Sequence, residues 1–219
     1  MFRFRHSMTL AALILFVTAS TALAGPPLLC HPFDIGDARS LPWQGQSWSE
    51  GKSDYDVATL VADTEAILTP DTPVIVRMET LRRAALYASR DAAVAGRLLA
   101  MVNARAVAAK RAGATTPASA LAHFDAGYLH ATYQQISELG GQAGLGNRSR
   151  NIASVIGRAD GRRLLDVAIT LRPDDGAVQF AAALVAASTD RAAYVQHAAK
   201  AREGAGRDPL LAKNIKQLS

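Results

Sequence analysis

The chain contains very little cysteine and few aromatic residues. One cysteine in 219 residues excludes an intramolecular disulfide framework and a zinc site built from cysteines. Aromatic residues make up only 6% of the chain, so its 49% hydrophobic content rests mainly on alanine, leucine and valine. Alanine and leucine are the strongest helix formers. The composition therefore predicts an all-α protein.

The chain also lacks the short motifs that identify several large classes of enzyme. It has no G-x-S-x-G nucleophile elbow and no H-E-x-x-H zinc motif. The glycines between 140 and 146 do not follow a predicted strand, so they do not form a phosphate-binding loop. We expect no metal site and no cofactor, and the missing catalytic set favours a protein that is not an enzyme without excluding one.

Residues 1–24 have the pattern of a secretory signal peptide. Arg3 and Arg5 supply a positive start, Leu10–Val17 form a short apolar core, and residues 22–24 form a cleavage site of the A-x-A type. The alternative is an uncleaved membrane anchor, for which this apolar stretch is at the short end. The pattern predicts a periplasmic or secreted protein.

Cleavage at this site lowers the formal net charge from +5 to +3, because two arginines leave and no acidic residue does. A charge this small on an exported protein does not predict nucleic acid as a partner. No second apolar run of membrane length follows the signal, so we expect no integral membrane segment after cleavage.

The rest of the chain divides into an irregular arm and a helical domain. Residues 25–53 hold four prolines, four glycines and both tryptophans, and cannot form a long helix. Trp43 and Trp48 are costly to leave in water, so we expect the arm to dock them on the helical body. Residues 54–219 are predicted to form one all-helical domain with a glycine-rich joint at 140–147. Its predicted helices cover 55–68, 73–89, 92–112, 117–139, 152–156, 161–171, 176–188, 191–203 and 209–218.

Part of the C-terminal half resembles the tetratricopeptide repeat family, over roughly residues 161–205. That family alternates small and bulky residues so that paired helices pack closely, and it ends a repeat with proline. His197 and Lys200 depart from the pattern, which a shift of one residue restores at Ala198 and Ala201. The resemblance implies helical hairpins, as an α-solenoid or a bundle, and a concave face that binds a peptide or protein. The matching residues are Gly161, Leu165, Ala168, Pro173, Phe180, Ala181, Leu184 and Ala193.

Cys30 and His31 are one candidate site. Covalent haem attachment needs a second cysteine three residues earlier, where Pro27 stands. A redox-active or intermolecular thiol is one interpretation of Cys30, and a small side chain buried beside the docking arm is the other, favoured one. His123 and His130 are seven residues apart on one helix, about 10 Å by the helical rise, which is too far to share a metal ion.

Charged residues on two predicted helices form the second candidate site. Arginines bind carboxylates bidentately, so a groove for an acidic peptide is one interpretation of this cluster. The other is an exposed helix stabilised by Glu79 and Arg83 at i, i+4 spacing. If the two helices face each other, Arg82 and Asp125 can form an internal ion pair. The candidate residues are Arg77, Glu79, Arg82, Arg83, Asp125 and Tyr128.

Three hypotheses for function remain open from the sequence. The first is an exported, non-enzymatic module that binds a protein or peptide through helical-repeat surfaces. The second is a small-ligand-binding protein or enzyme whose pocket lies between the arm and the helices at 73–89 and 117–139. The third is a structural subunit of an envelope assembly that uses the arm to join a neighbour.

Overall fold

The computed structural model describes residues 27–44, 47–113, 115–140, 145–157 and 160–218. Across those ranges the chain forms nine α-helices and two short 3-10 helices, with no β-strand. The predicted all-α fold is thus confirmed. The predicted signal peptide and its cleavage site lie outside the described residues, as do residues 141–144 of the predicted glycine joint.

Six of the nine described helices begin directly after a residue whose side chain caps them. The side chains of Asp91, Thr116, Asp160, Asp190 and Asp208 each accept a hydrogen bond from a backbone N–H group in the first turn of the helix that follows. Asp175 does the same for the seventh helix. The helices are α1 (Leu60–Ile67), α2 (Val74–Ala88), α3 (Ala92–Arg111), α4 (Pro117–Glu138), α5 (Gly146–Ala153), α6 (Gly161–Leu171), α7 (Gly176–Ala186), α8 (Arg191–Gly204) and α9 (Pro209–Asn214).

The first helix was predicted to begin five residues too early. Residues 55–59 form turns instead, because Asp56 accepts a hydrogen bond from the Ala58 N–H group and its own carbonyl accepts one from Thr59. The Thr72 hydroxyl donates to the Ile67 carbonyl, so it does not cap α2, and Pro73 takes the N-cap position.

Two helices in the second half of the chain also differ from their predicted ranges. The short helix predicted at 152–156 begins earlier, at Gly146, as α5. The predicted last helix ends at Asn214 and continues as a 3-10 turn.

Helix α2 lies at the centre of the molecule. Every one of its residues except Arg83 is buried. It contacts α1, α3, α4 and α7, and the arm covers much of the remaining side. A helix enclosed in this way must bury its charged residues together with its apolar ones. The charged candidate residues on α2 therefore lie in the interior.

The irregular arm docks on α2 as predicted. Trp43 and Trp48 are half-buried against the core, and the Trp43 ring meets the Tyr87 ring edge to face, with 5.6 Å between centroids. Phe33 meets Phe180 of α7 in the same way at 6.0 Å. The arm also bonds to the far end of the chain, since the Asn214 side chain donates to the Asp34 carbonyl and accepts from the Asp34 N–H group.

Two pairs of helices approach at glycines. A Cβ atom added at Gly127 of α4 would lie 2.7 Å from the Gly161 carbonyl oxygen of α6. A Cβ atom added at Gly176 of α7 would lie 2.8 Å from the Gly204 Cα atom of α8. The backbones of each pair touch at these points. The tetratricopeptide resemblance stays a prediction.

Helix α3 qualifies, by length and composition alone, as a segment that could cross a membrane. The expectation that the chain after the signal holds no such run overlooked it. One third of its most apolar 18-residue window is buried in the fold, including Leu98 and Val102. Mostly buried core helices of soluble proteins pass the same test, so this one helix is weak evidence of a membrane span.

We predict that Gly127→Ala lowers the free energy of unfolding by about 1–3 kcal/mol, as overpacking does, although alanine is the better helix former. The cause is the contact with backbone of α6, which cannot move aside as a side chain can. Urea denaturation measures the change. Gly96→Ala on α3 is the matched control, because its added Cβ atom would lie 3.8 Å from Val155, and it should stabilise by about 0.5–1 kcal/mol. Equal effects of the two substitutions would contradict the close α4–α6 contact.

Candidate functional site

Three of the four charged residues predicted on α2 are buried. Arg77, Glu79 and Arg82 are each 0% exposed, and Arg83 is half-buried. The interpretation of this helix as exposed is therefore wrong, although Glu79 and Arg83 do form the predicted i, i+4 ion pair, at 2.6 Å. The arm and α4 cover the side of α2 on which these charged residues lie.

Glu79 is the centre of the first cluster. Its carboxylate accepts from Arg82 twice, with Nε–Oε2 and Nη2–Oε1 distances of 2.8 Å, and from Arg83 Nε at 2.6 Å. It also accepts from the Phe33 backbone N–H group of the arm at 3.1 Å. Four donors around one carboxylate compensate for its loss of water.

The two arginines of this cluster use their other donors on the arm. Arg82 Nη1 donates to the carbonyl oxygens of Leu29, at 3.2 Å, and Trp48, at 2.9 Å. Arg83 Nη1 donates to the Leu41 carbonyl oxygen at 2.6 Å. The sequence offered these guanidinium groups as ligands for a carboxylate from outside. In the structure they hold the backbone of the arm.

The sequence predicted an ion pair between Asp125 and Arg82. In the structure Asp125 pairs with Arg77 instead. Arg77 Nη1 lies 2.9 Å and 2.7 Å from the two carboxylate oxygens of Asp125. Arg82 lies about 7.5 Å further along α2 by the helical rise, and it faces the arm. Burial raises the pKa of Asp125 to about 6, while Arg77 acts in the opposite direction. Arg77 also donates to the carbonyls of Thr69 and Thr72 in the loop before α2.

Tyr128 and Cys30 complete the predicted set close to this network. Tyr128 is fully buried, its ring stacks on Phe124 at 5.7 Å, and burial raises the pKa of its hydroxyl well above the ordinary value. Cys30 is a half-buried free thiol. Burial raises its pKa, and the opposing effect of Arg82 is smaller. A raised pKa disfavours the reactive thiolate, which fits the interpretation of Cys30 as a packing residue. His31 beside it is half-buried.

The histidines of α4 are part of the interior. His123 and His130 are buried, and His130 Nε2 lies 3.1 Å from the Asn103 side-chain oxygen of α3. Burial lowers the pKa of both imidazoles, with Lys110 adding to the effect at His123. No group of three or more His, Cys, Asp or Glu residues in the described part of the chain could hold a metal ion.

A groove of about 420 Å³ lies where the arm meets α4, α6 and α7. Its apolar lining consists of Leu28, Ala131 and Val185, and the arm is fixed there because the Leu28 N–H group donates to the Gln135 side-chain oxygen at 3.0 Å. Polar side chains supply the rest of the lining and can pair with the backbone of a bound segment. They are Gln134, Gln135, Glu138, Asp160, Arg162, Ser188 and Thr189.

Most groove residues were not singled out from the sequence. The sequence does place Asp160 at a helix start, and the tetratricopeptide resemblance begins at the adjacent Gly161. Gln134 and Glu138 look like surface residues of a long helix, since nothing local shows that the end of α7 lies beside them. Spacing of four residues is the only signal they carry, and Gln134 Nε2 does donate to Glu138 Oε1 at 2.9 Å.

Comparison with known proteins gives no relative for this chain: no protein-family model, curated protein or solved structure matches it significantly. Function must therefore be argued from the fold and the two sites described above.

We predict that Arg82→Met releases the arm from α2. The change leaves Glu79 buried with fewer donors and two arm carbonyls unpaired, which should cost about 3–5 kcal/mol. Both tryptophans of the chain lie in the arm, so their fluorescence should shift to longer wavelength, and limited proteolysis should cut residues 27–53 sooner. Exposed Arg207 provides the control Arg207→Met. An unchanged emission spectrum and cleavage rate in Arg82→Met would refute the tethering role.

We predict that acid weakens the fold through its buried histidines. Burial lowers the pKa of His123, His130 and His197, so the unfolded chain binds protons first. Their stabilising effect is present above about pH 6.5 and is lost as the pH falls below it. Asp125, with its pKa raised to about 6, acts in the opposite direction below that pH. The urea concentration at the unfolding midpoint should decrease when the pH is lowered from about 7.5 to about 6. The decrease should be smaller in His130→Gln. A midpoint independent of pH in this window would disprove the idea.

Proposed function

We propose that this protein is an exported, non-enzymatic module that binds a peptide segment of another protein in the groove between the arm, α4, α6 and α7. The observation that carries the proposal is the shape and lining of that groove. Its lining combines three apolar residues with amide, hydroxyl and charged side chains, and its volume of about 420 Å³ falls in the range of ligand sites.

The alternative site between the arm and the helices α2 and α4 has less support. Arg82, Asp125 and Tyr128 are each at most 1% exposed there, and the two charged groups are engaged with neighbouring groups of the protein. A substrate would have to displace those partners before it could reach the side chains. The buried network is better suited to holding the arm than to chemistry.

The arm contributes directly to the groove that we propose. Leu28 belongs to its lining and is held by Gln135, while the next residue, Leu29, is held by Arg82. One wall of the groove is therefore a loop segment fixed by buried charge. A preformed site loses less conformational entropy when it binds than a mobile one does. The export proposal rests on the sequence pattern of residues 1–24.

The test is selection of random heptapeptides displayed on phage against the protein as the cell processes it. We predict that the selected peptides bind the wild type and lose at least tenfold in affinity for Thr189→Trp, which places a large ring in the groove. Thr170→Trp is the matched control, since Thr170 is also exposed but lies on α6 away from the groove. Peptides that bind all three proteins equally, or no enrichment at all, would overturn the proposal.

A further inference from the structure

We infer that the occupant of the groove is a peptide segment that carries a lysine or arginine, whose cationic group binds beside Glu138 and Asp160. This inference rests on the proposed function and names the chemistry of its partner. Three features of the groove point to a positive charge: its unpaired carboxylate, its paired arginine and the helix ends that open onto it.

The carboxylates of the groove are only partly neutralised. Within the described part of the chain, Glu138 has no cationic side chain within 4.0 Å, and one of its oxygens accepts from Gln134. Asp160 caps α6 through one oxygen, and its other oxygen lies 3.5 Å from Arg163, whose side chain is 87% exposed. An ion pair so exposed to water contributes little and leaves Asp160 able to receive another cation.

The arginine that lines the groove is already paired. Arg162 Nη2 lies 2.6 Å from Asp190 Oδ2, the N-cap residue of α8. The backbone N–H group of Ala193 and then Arg162 lower the pKa of Asp190, so this carboxylate stays charged and holds the arginine. With Arg162 paired, Glu138 and Asp160 are the carboxylates of the described lining that remain able to receive a further cation.

Two helix C-terminal ends add negative potential to the groove, while the N-terminus of α6, which Asp160 caps, acts in the opposite direction. The last turn of α4, with Gln135 and Glu138, and the end of α7, with Val185 and Ser188, both open onto the groove. Neither helix has a basic residue in its last turn, whereas α3 and α8 do. The C-terminal end of a helix carries a partial negative charge that a cation stabilises. A lysine or arginine of the partner would supply the cation that these two helices lack.

The experiment compares the heptapeptides selected by three proteins: the wild type, the double variant Glu138→Gln/Asp160→Asn, and Glu65→Gln. The double variant removes both charges but keeps the hydrogen bond to Gln134 and the cap of α6, since asparagine caps as well as aspartate. Glu65 is an exposed residue of α1 away from the groove, so Glu65→Gln controls for the loss of negative charge.

We expect lysine and arginine to be enriched in peptides selected by the wild type and by Glu65→Gln. The same peptides should bind the double variant about threefold to tenfold more weakly, with most of that difference lost at high salt. Groove-dependent peptides without basic enrichment, or equal binding to all three proteins, would overturn this inference and leave the proposed function standing. Selection that is insensitive to Thr189→Trp would instead overturn the proposed function.

Discussion

A buried stretch of backbone without regular structure needs hydrogen-bond partners for its N–H and C=O groups. The arm presents this problem at the centre of the molecule, and the arginines of α2 solve it. A guanidinium group carries five donors in a rigid fork, so one side chain can serve a carboxylate and several carbonyls at once. Arg82 binds Glu79, Leu29 and Trp48 in this way. Arg77 and Arg105 do the same for the loop after α1, where they bind the carbonyls of Thr69 and Leu68.

This solution makes the arm and the helix depend on each other. Charged groups can stay in the interior only while each has its partners, since a lone buried charge is far more costly than a pair. The arm supplies carbonyls to Arg82 and Arg83 and an N–H group to Glu79. Tyr87 adds a neutral contact of the same kind, donating to the Pro42 carbonyl and accepting from the Lys52 N–H group. A single arrangement of the arm satisfies all of these groups.

Local signals predicted the fold well and the candidate site poorly, because such signals act only between residues that are close in sequence. A capping aspartate acts within one turn of helix, so the starts of α3, α6 and α8 follow from Asp91, Asp160 and Asp190 alone. Burial of Arg82 depends on Leu29 and Trp48 of the arm, which are 53 and 34 residues away in sequence. Apolar spacing along α2 gives no sign that the helix is covered on every side. The groove is harder still, because it joins the ends of helices that are far apart in the chain.

The two sets of charges in this protein differ in how completely they are neutralised, and under the proposed function that difference separates the structural set from the set that binds. In the core, Glu79 has four donors and Asp125 has a bidentate arginine. At the groove, Arg162 is paired with Asp190, while Glu138 at the end of α4 has no cationic partner among the described residues. Leu28 connects the two regions, since it lines the groove and its neighbour Leu29 is bound by Arg82. The compensated interior thus holds one wall of the groove in place, and the exposed Glu138 belongs to the lining of that groove.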